Sequence, residues 1–169
     1  MDAVWNDRIW PLMEEAFPPV ERRTKEGQRE IFAREQVRMR VLTEGGRVTG
    51  FLTWWELDSC RFLEHLAVEK ALRGGGRGQM LLRLAAEGTE KPVVLEIEPP
   101  EESEQALRRL HFYRKNGFLI NDFPYLQQPL KKGDQPIPLR IMSYQKGLTE
   151  QAFAPLKKEI YREVYGVEI

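Results

Sequence analysis

The sequence contains a single cysteine, Cys60, so no internal disulfide can form and packing must hold the chain together. Acidic and basic residues balance at 26 each, which leaves no net charge to draw the chain onto nucleic acid or an anionic membrane. No apolar run approaches the roughly 20 residues that a membrane-spanning helix needs. Met1 to Trp10 carries Asp2, Asp7 and Arg8 among apolar neighbours, a pattern foreign to a secretory signal. Internal repeats, low-complexity tracts and domain-dividing linkers are also missing. These absences predict a cytoplasmic protein folded as one domain over residues 1–169, with no membrane partner, no metal, and nucleic acid disfavoured. Enough is present for a core: 41% of the 169 residues are hydrophobic, in a chain of ordinary domain size.

Periodicity gives an alternation of helices and strands. Trp5, Ile9, Leu12, Met13 and Phe17 recur at helical spacing until Pro18-Pro19 ends the run. Thr24 is placed to cap a second helix reaching towards Arg34. Three strands come next: Val37 to Val41, Arg47 to about Leu57, and Arg61 to Val68. Gly45-Gly46 and Asp58-Ser59 turn the chain between them. A helix carries Met80 to Leu84, a strand runs from Val93 to Ile97, and Ser103 caps a helix that ends at Asn116-Gly117. Phe118 opens another strand, a polar loop spans Pro124 to Pro138, and Leu139 to Tyr144 forms the last strand. Thr149 caps a terminal helix with Phe153, Leu156, Ile160 and Val164 on one face, to dock on its own domain or in a homodimer. The short turns make the early strands antiparallel. The strand after the glycine-led helix should lie parallel to the one before it.

The richest segment is Leu66-Ala67-Val68-Glu69-Lys70-Ala71-Leu72-Arg73-Gly74-Gly75-Gly76-Arg77-Gly78-Gln79. A strand ends, a glycine-rich turn succeeds it and a helix begins, so that several N–H groups and the positive end of the helix dipole converge. Glycines let a phosphate approach the backbone, and Arg73 and Arg77 add donors. A nucleotide-binding P-loop would need Lys and then Ser or Thr after the last glycine, where Gln79 and Met80 stand. A dinucleotide fingerprint would need a third glycine where Leu81 stands.

The run Arg73-Gly74-Gly75-Gly76-Arg77-Gly78 instead resembles the (Gln/Arg)-x-x-Gly-x-(Gly/Ala) signature of the GNAT superfamily of acetyl-CoA-dependent N-acetyltransferases. Downstream, Phe112-Tyr113-Arg114-Lys115-Asn116-Gly117-Phe118 is similar to that family's Tyr-(Glu/Arg)-Lys-x-Gly-Phe segment. The likeness covers roughly Val41 to Ile120. It implies an α/β (α+β) GNAT-like fold: a mixed, mostly antiparallel sheet with one splayed parallel strand pair, flanked by helices.

The resemblance also implies a chemistry. Acetyl-CoA would lie between the splayed strands as cosubstrate. Leu66, Ala67 and Val68 would offer backbone groups to its pantetheine arm. Arg73, Gly74, Gly75, Gly76, Arg77, Gly78 and Gln79 would bind its pyrophosphate. An amine, on a small molecule or a peptide, attacks the thioester directly, so no covalent enzyme intermediate is needed. Tyr113 matches the tyrosine that hydrogen-bonds or protonates the departing sulfur. Glu64 is the first candidate for the proton acceptor and Glu96 the second. His65 is a third by its chemistry, although alternation sets it on the face opposite Glu64, which would share a face with Leu66 and Val68. The family's asparagine after the second splayed strand is replaced by Glu98-Pro99-Pro100-Glu101-Glu102, an acidic run that would solvate a loop or attract a cationic amine. Trp54, Trp55, Phe123 and Tyr125 are the aromatic candidates for the substrate wall. A non-catalytic acyl-CoA-binding module on the same fold is the alternative reading.

Overall fold

A computed structural model describes residues 5–169, so the reading of Met1 to Val4 lies outside the described residues. Trp5–Ile9 forms a π-helical turn that runs into α1 (Trp10–Ala16), and Pro18 stops it as expected. Helix α2 (Lys25–Phe32) is capped by Thr24, whose hydroxyl accepts from the Gly27 amide at 3.1 Å. Strands β1 (Val37–Glu44) and β2 (Arg47–Glu56) form a hairpin whose turn needs φ of +56° and +76° at Gly45 and Gly46. Strand β3 (Arg61–Val68) leads through the glycine turn to α3 (Arg77–Ala86), then to β4 (Val93–Ile97) and α4 (Glu104–Lys115). Strands β5 (Phe118–Gln127) and β6 (Ile137–Tyr144) precede α5 (Glu150–Tyr165), capped by Thr149. Among the described residues, no helix is long and apolar enough to cross a membrane.

The loop expected over Pro124 to Pro138 is shorter. Strand β5 continues to Gln127, and β6 begins at Ile137. Proline misled the reading because β5 is the edge strand and its pairing slips between Asn121 and Tyr125, where a missing N–H costs nothing.

The six strands lie in the order β1-β2-β3-β4-β6-β5. All pairs are antiparallel except β3 and β4, which pair in parallel only at Arg61↔Val93, Phe62↔Val94 and Leu63↔Leu95. Beyond Leu63 the two strands part, as the resemblance implies. One sheet face buries Leu52, Leu63, Val68 and Leu95 against Leu81, Leu82 and Ala85 of α3 and Leu110 and Tyr113 of α4. The other packs Trp55, Phe62 and Val94 against Phe153, Leu156 and Ile160 of α5, with α1 and α2 beside them. Each such fully buried aliphatic side chain contributes about 1.5–3 kcal/mol. The terminal helix thus docks on its own sheet.

The pairing of β2 with β3 is irregular at one point. Thr53 pairs with His65 and Trp54 with Leu63, which leaves Glu64 as the extra residue of a β-bulge. The bulge changes the phase of β3. Glu64 and His65 both emerge on the α1–α2–α5 face, whereas Leu66 and Val68 pack towards α3 and α4. The alternation expected across these residues is therefore overturned: Glu64 shares a face with His65, not with Leu66 and Val68.

Candidate active site

The glycine turn is open and built from backbone. Gly74 and Gly76 hold φ of +85° and +82°, where an L side chain is strained. Gly76 is the N-cap of α3 and offers no side chain, and Met80 makes the bond back to the Gly76 carbonyl (3.0 Å). The amides of Arg77, Gly78 and Gln79 therefore have no capping acceptor and suit an anion. At Gly78 a Cβ would meet Phe112 Cζ at 3.2 Å, so α3 approaches α4 closely there. The guanidinium of Arg77 is engaged by both carboxylate oxygens of Glu44 (2.7 and 2.9 Å), and that of Arg73 by the Val68 carbonyl (3.0 Å). Arg77 would then act on an anion mainly through its backbone, whereas Arg73 commits only its Nε–H.

A cavity of about 400 Å³ opens over this turn. Leu66, Ala67 and Val68 line one side, the turn residues Arg73, Gly74, Gly76, Arg77, Gly78 and Gln79 a second, and Arg109, Phe112 and Tyr113 of α4 a third. Gly75 is absent from this lining; its Cβ position lies 2.7 Å from the Arg77 guanidinium. The volume, the free amides and the splayed strand edge fit an acyl-CoA, with its pyrophosphate on the turn and its pantetheine along β3.

Tyr113 is 7% exposed, with its ring edge-on to Phe112 and Phe118. Burial pushes its hydroxyl above the usual phenol range, and Arg109 beside it pulls back. The hydroxyl thus stays protonated at neutral pH. A narrow gap between the parted strands, lined by Leu66, Glu64, His65, Glu96, Arg109 and Tyr113, leads onward from the turn cavity.

Past the gap lies a chamber of about 50 Å³ with Glu21, Glu64, His65, Glu96, Glu98 and Arg109 in its lining. Its two candidate bases differ sharply. Glu64 accepts from Arg23 (2.6 Å) and from the Trp55 indole (2.8 Å). Burial alone would raise it, but the Arg23 charge prevails and its proton is held below the usual carboxylate range. Among the described residues, no cation pairs with Glu96. It accepts from Tyr165 (2.8 and 2.7 Å), Tyr125 and Gln127 (3.1 Å), and burial pushes its pKa up to about 7. His65 is 3% exposed, with Nε2 3.1 Å from the Glu21 carbonyl oxygen and Nδ1 3.9 Å from Glu64. Burial lowers its pKa, so it stays neutral.

The aromatic candidates lie elsewhere or act indirectly. Trp54 packs against Leu63 in the core with its indole on Glu56 (2.8 Å), and Trp55 holds Glu64. Phe123 stacks on Phe153 at 4.6 Å, and Tyr125 reaches the site through its hydroxyl. Sequence reasoning missed Glu21, Arg23, Arg109, Gln127 and Tyr165. Arg109 stands one helical turn before Tyr113, a spacing that could have revealed it. Tyr165 carried no local signal.

The comparisons agree with this geometry. Residues 35–119 match the acetyltransferase (GNAT) domain. A candidate acetyltransferase of the GNAT family from Bacteroides thetaiotaomicron is 34% identical over 94% of this chain and 90% of that one, with a TM-score of 0.84. The chain belongs to the GNAT acetyltransferase family. An IAA acetyltransferase from Bacillus cereus ATCC 14579 shares the fold at 21% identity, covering 83% of this chain and 93% of its own, with a TM-score of 0.58. So does a candidate streptothricin acetyltransferase from Bacillus anthracis str. Ames in complex with acetyl coenzyme A, at 22% identity, 69% and 65% coverage and a TM-score of 0.51. No curated protein matches. This GNAT enzyme is an acetyl-CoA-dependent acetyltransferase that acts on an amine. The non-catalytic alternative gains no support from these relatives.

Proposed function

We propose a division of labour within the site of this one-domain, cytoplasmic N-acetyltransferase. Residues Arg73 to Gly78 and Gln79 hold the pyrophosphate through backbone amides, and Leu66 to Val68 hold the pantetheine. Acetyl-CoA supplies the activated acetyl group as a thioester. Tyr113 keeps its proton and gives it, or a hydrogen bond, to the departing sulfur. Glu96 takes the proton of the incoming amine, directly or through a water. A group with a pKa about 7 is half ionised near neutrality, where a general base works best. Glu64, first in the sequence reading, keeps its place as a site residue, but its pairing with Arg23 makes it a weak proton acceptor. Its role is to hold Arg23 and the strand bulge in place.

The observation that carries this reading is the shared lining. Tyr113 and Leu66 border both the turn cavity and the gap, and Glu64, His65 and Glu96 border both the gap and the chamber. The test is Tyr113→Phe. Turnover, followed by thiol release, should fall about 10²-fold or more while acetyl-CoA affinity by calorimetry stays within about twofold. Equal turnover in a folded variant would remove Tyr113 from the reaction.

A further inference from the structure

Resting on that reading, we infer that the acceptor is a small, unbranched primary alkylammonium ion without a carboxylate of its own, with its nitrogen seated among His65, Glu96 and Glu98.

The charge of the chamber points to a cation. Glu21, Glu64, Glu96 and Glu98 line it against one guanidinium, that of Arg109. Arg109 is already held by Glu98 at 2.9 Å, and Arg23, behind the wall, by Glu64 at 2.6 Å. Glu96 is left with neutral partners, two tyrosine hydroxyls and an amide. Burial raises the pKa of both Glu21 and Glu96. A bound cation would offset that cost.

The hydrogen bonding points to a ligand that donates. The Glu21 carbonyl facing His65 Nε2 can only accept, so Nε2 carries the hydrogen and Nδ1 is a bare lone pair. That Nδ1 is buried without a partner, on a side chain 3% exposed. Its neighbour at 3.9 Å is a carboxylate oxygen of Glu64, which also only accepts. Glu98 Oε2 is a second buried acceptor without a partner. Among the described residues the chamber lining thus holds two buried acceptors without a partner, His65 Nδ1 and Glu98 Oε2. An ammonium brings three donors and no acceptor, which complements it. An α-amino acid would bring a further carboxylate against Glu21, Glu64, Glu96 and Glu98, with one guanidinium, that of Arg109, to offset them all.

Size and wall chemistry set the rest. About 50 Å³ is room for only a few heavy atoms, which favours a nitrogen on a slim, unbranched stem. Leu130 and Leu139 in the lining favour an alkyl stem behind the nitrogen.

The test begins with a calorimetric titration of the protein by CoA. No binding would overturn the reading of the glycine turn, and this inference with it. With CoA bound, propylamine, 1,3-diaminopropane, isopropylamine, β-alanine and a peptide amine are compared by calorimetry and, with acetyl-CoA, by thiol release. Propylamine and 1,3-diaminopropane should exceed β-alanine and isopropylamine by about tenfold or more in kcat/KM, and should bind saturably. Glu98→Gln should raise the KM for propylamine by about tenfold and leave that for acetyl-CoA unchanged. CoA binding without saturable alkylamine binding would mean that the chamber holds water only. That result, equal turnover of β-alanine, or a preference for the peptide amine would overturn the inference while leaving the cofactor site standing.

Discussion

On the reading proposed here the glycine turn and the carboxylate chamber serve the same reaction, and they are built on opposite principles. The turn is six consecutive residues, Arg73 to Gly78, presenting backbone amides at a helix end. The chamber is side chains: Glu21 beyond α1, Glu64 and His65 on β3, Glu96 and Glu98 at β4, and Arg109 on α4. Backbone recognition suits a ligand part that never varies, and it tolerates changes of side chain around it. Side-chain recognition suits the variable partner, but it depends on each charge having a counterpart. Two carboxylates show how finely that works. Glu64 and Glu96 sit on neighbouring strands and are both buried, yet Arg23 lowers the one and burial without a cation raises the other.

The largest effect is expected at the turn. Gly76→Asp puts a negative side chain where, on the proposed reading, three amides face the pyrophosphate, and acetyl-CoA affinity should fall by more than about 100-fold. Gly76→Asn is the control, because asparagine tolerates the φ of +82° about as well and has the same size. Calorimetry on the pair separates charge from backbone strain. If asparagine costs as much as aspartate, the turn acts through its shape and the contrast with the chamber weakens.

Next comes Glu96→Gln, which reads the chamber in two ways. Turnover should drop about 10²-fold. Stability should move the other way. A carboxylate raised to about 7 stabilises the fold fully below its unfolded pKa and loses that contribution as pH climbs to 7. Glu64, lowered, behaves inversely and loses its contribution as pH falls below the normal carboxylate range. Glu96→Gln should therefore gain on the parent as pH rises from 5 to 8, by about 2–3 kcal/mol in denaturant unfolding. Equal stability changes at both pH values would show that Glu96 is neutralised by something in the fold.

What the sequence disclosed obeys the same division. The turn was legible because its residues are contiguous and each glycine answers a local demand. The parallel pairing of β3 and β4 was legible too, since a helix must cross between them. Glu96 and Tyr113 could be placed on their elements from periodicity and the flanking motif. The bulge at Glu64 could not, because a one-residue slip leaves no mark in composition and inverts the facing of the rest of the strand. Arg23 and Tyr165 were invisible for another reason: they reach the site across 41 and 69 residues of chain, to Glu64 and Glu96 respectively. Proline at 124 and 138 suggested a loop; the slip in edge strand β5 absorbs Pro124, and Pro138 sits where β6 has run past its pairing with β4.

The smallest effect is expected at Tyr165. It is the last residue of α5, fixed there because Gly166 turns left-handed at φ +68° and Val167 bonds back to the Tyr161 carbonyl at 2.9 Å. The terminal helix so delivers one hydroxyl to both oxygens of Glu96. That hydroxyl donates to the charged form and holds its pKa down against burial, alongside Tyr125 and Gln127, while the Glu64 charge pushes it up. Tyr165→Phe removes the donor. The acid limb of the pH–kcat profile should shift to higher pH by about one pH unit or less, with the plateau above pH 9 unchanged. A structural role alone would lower turnover at every pH and leave the midpoint in place. A shifted midpoint would show that the far end of the chain sets the strength of a base on β4, a dependence that the glycine turn, made of its own neighbours, does not have.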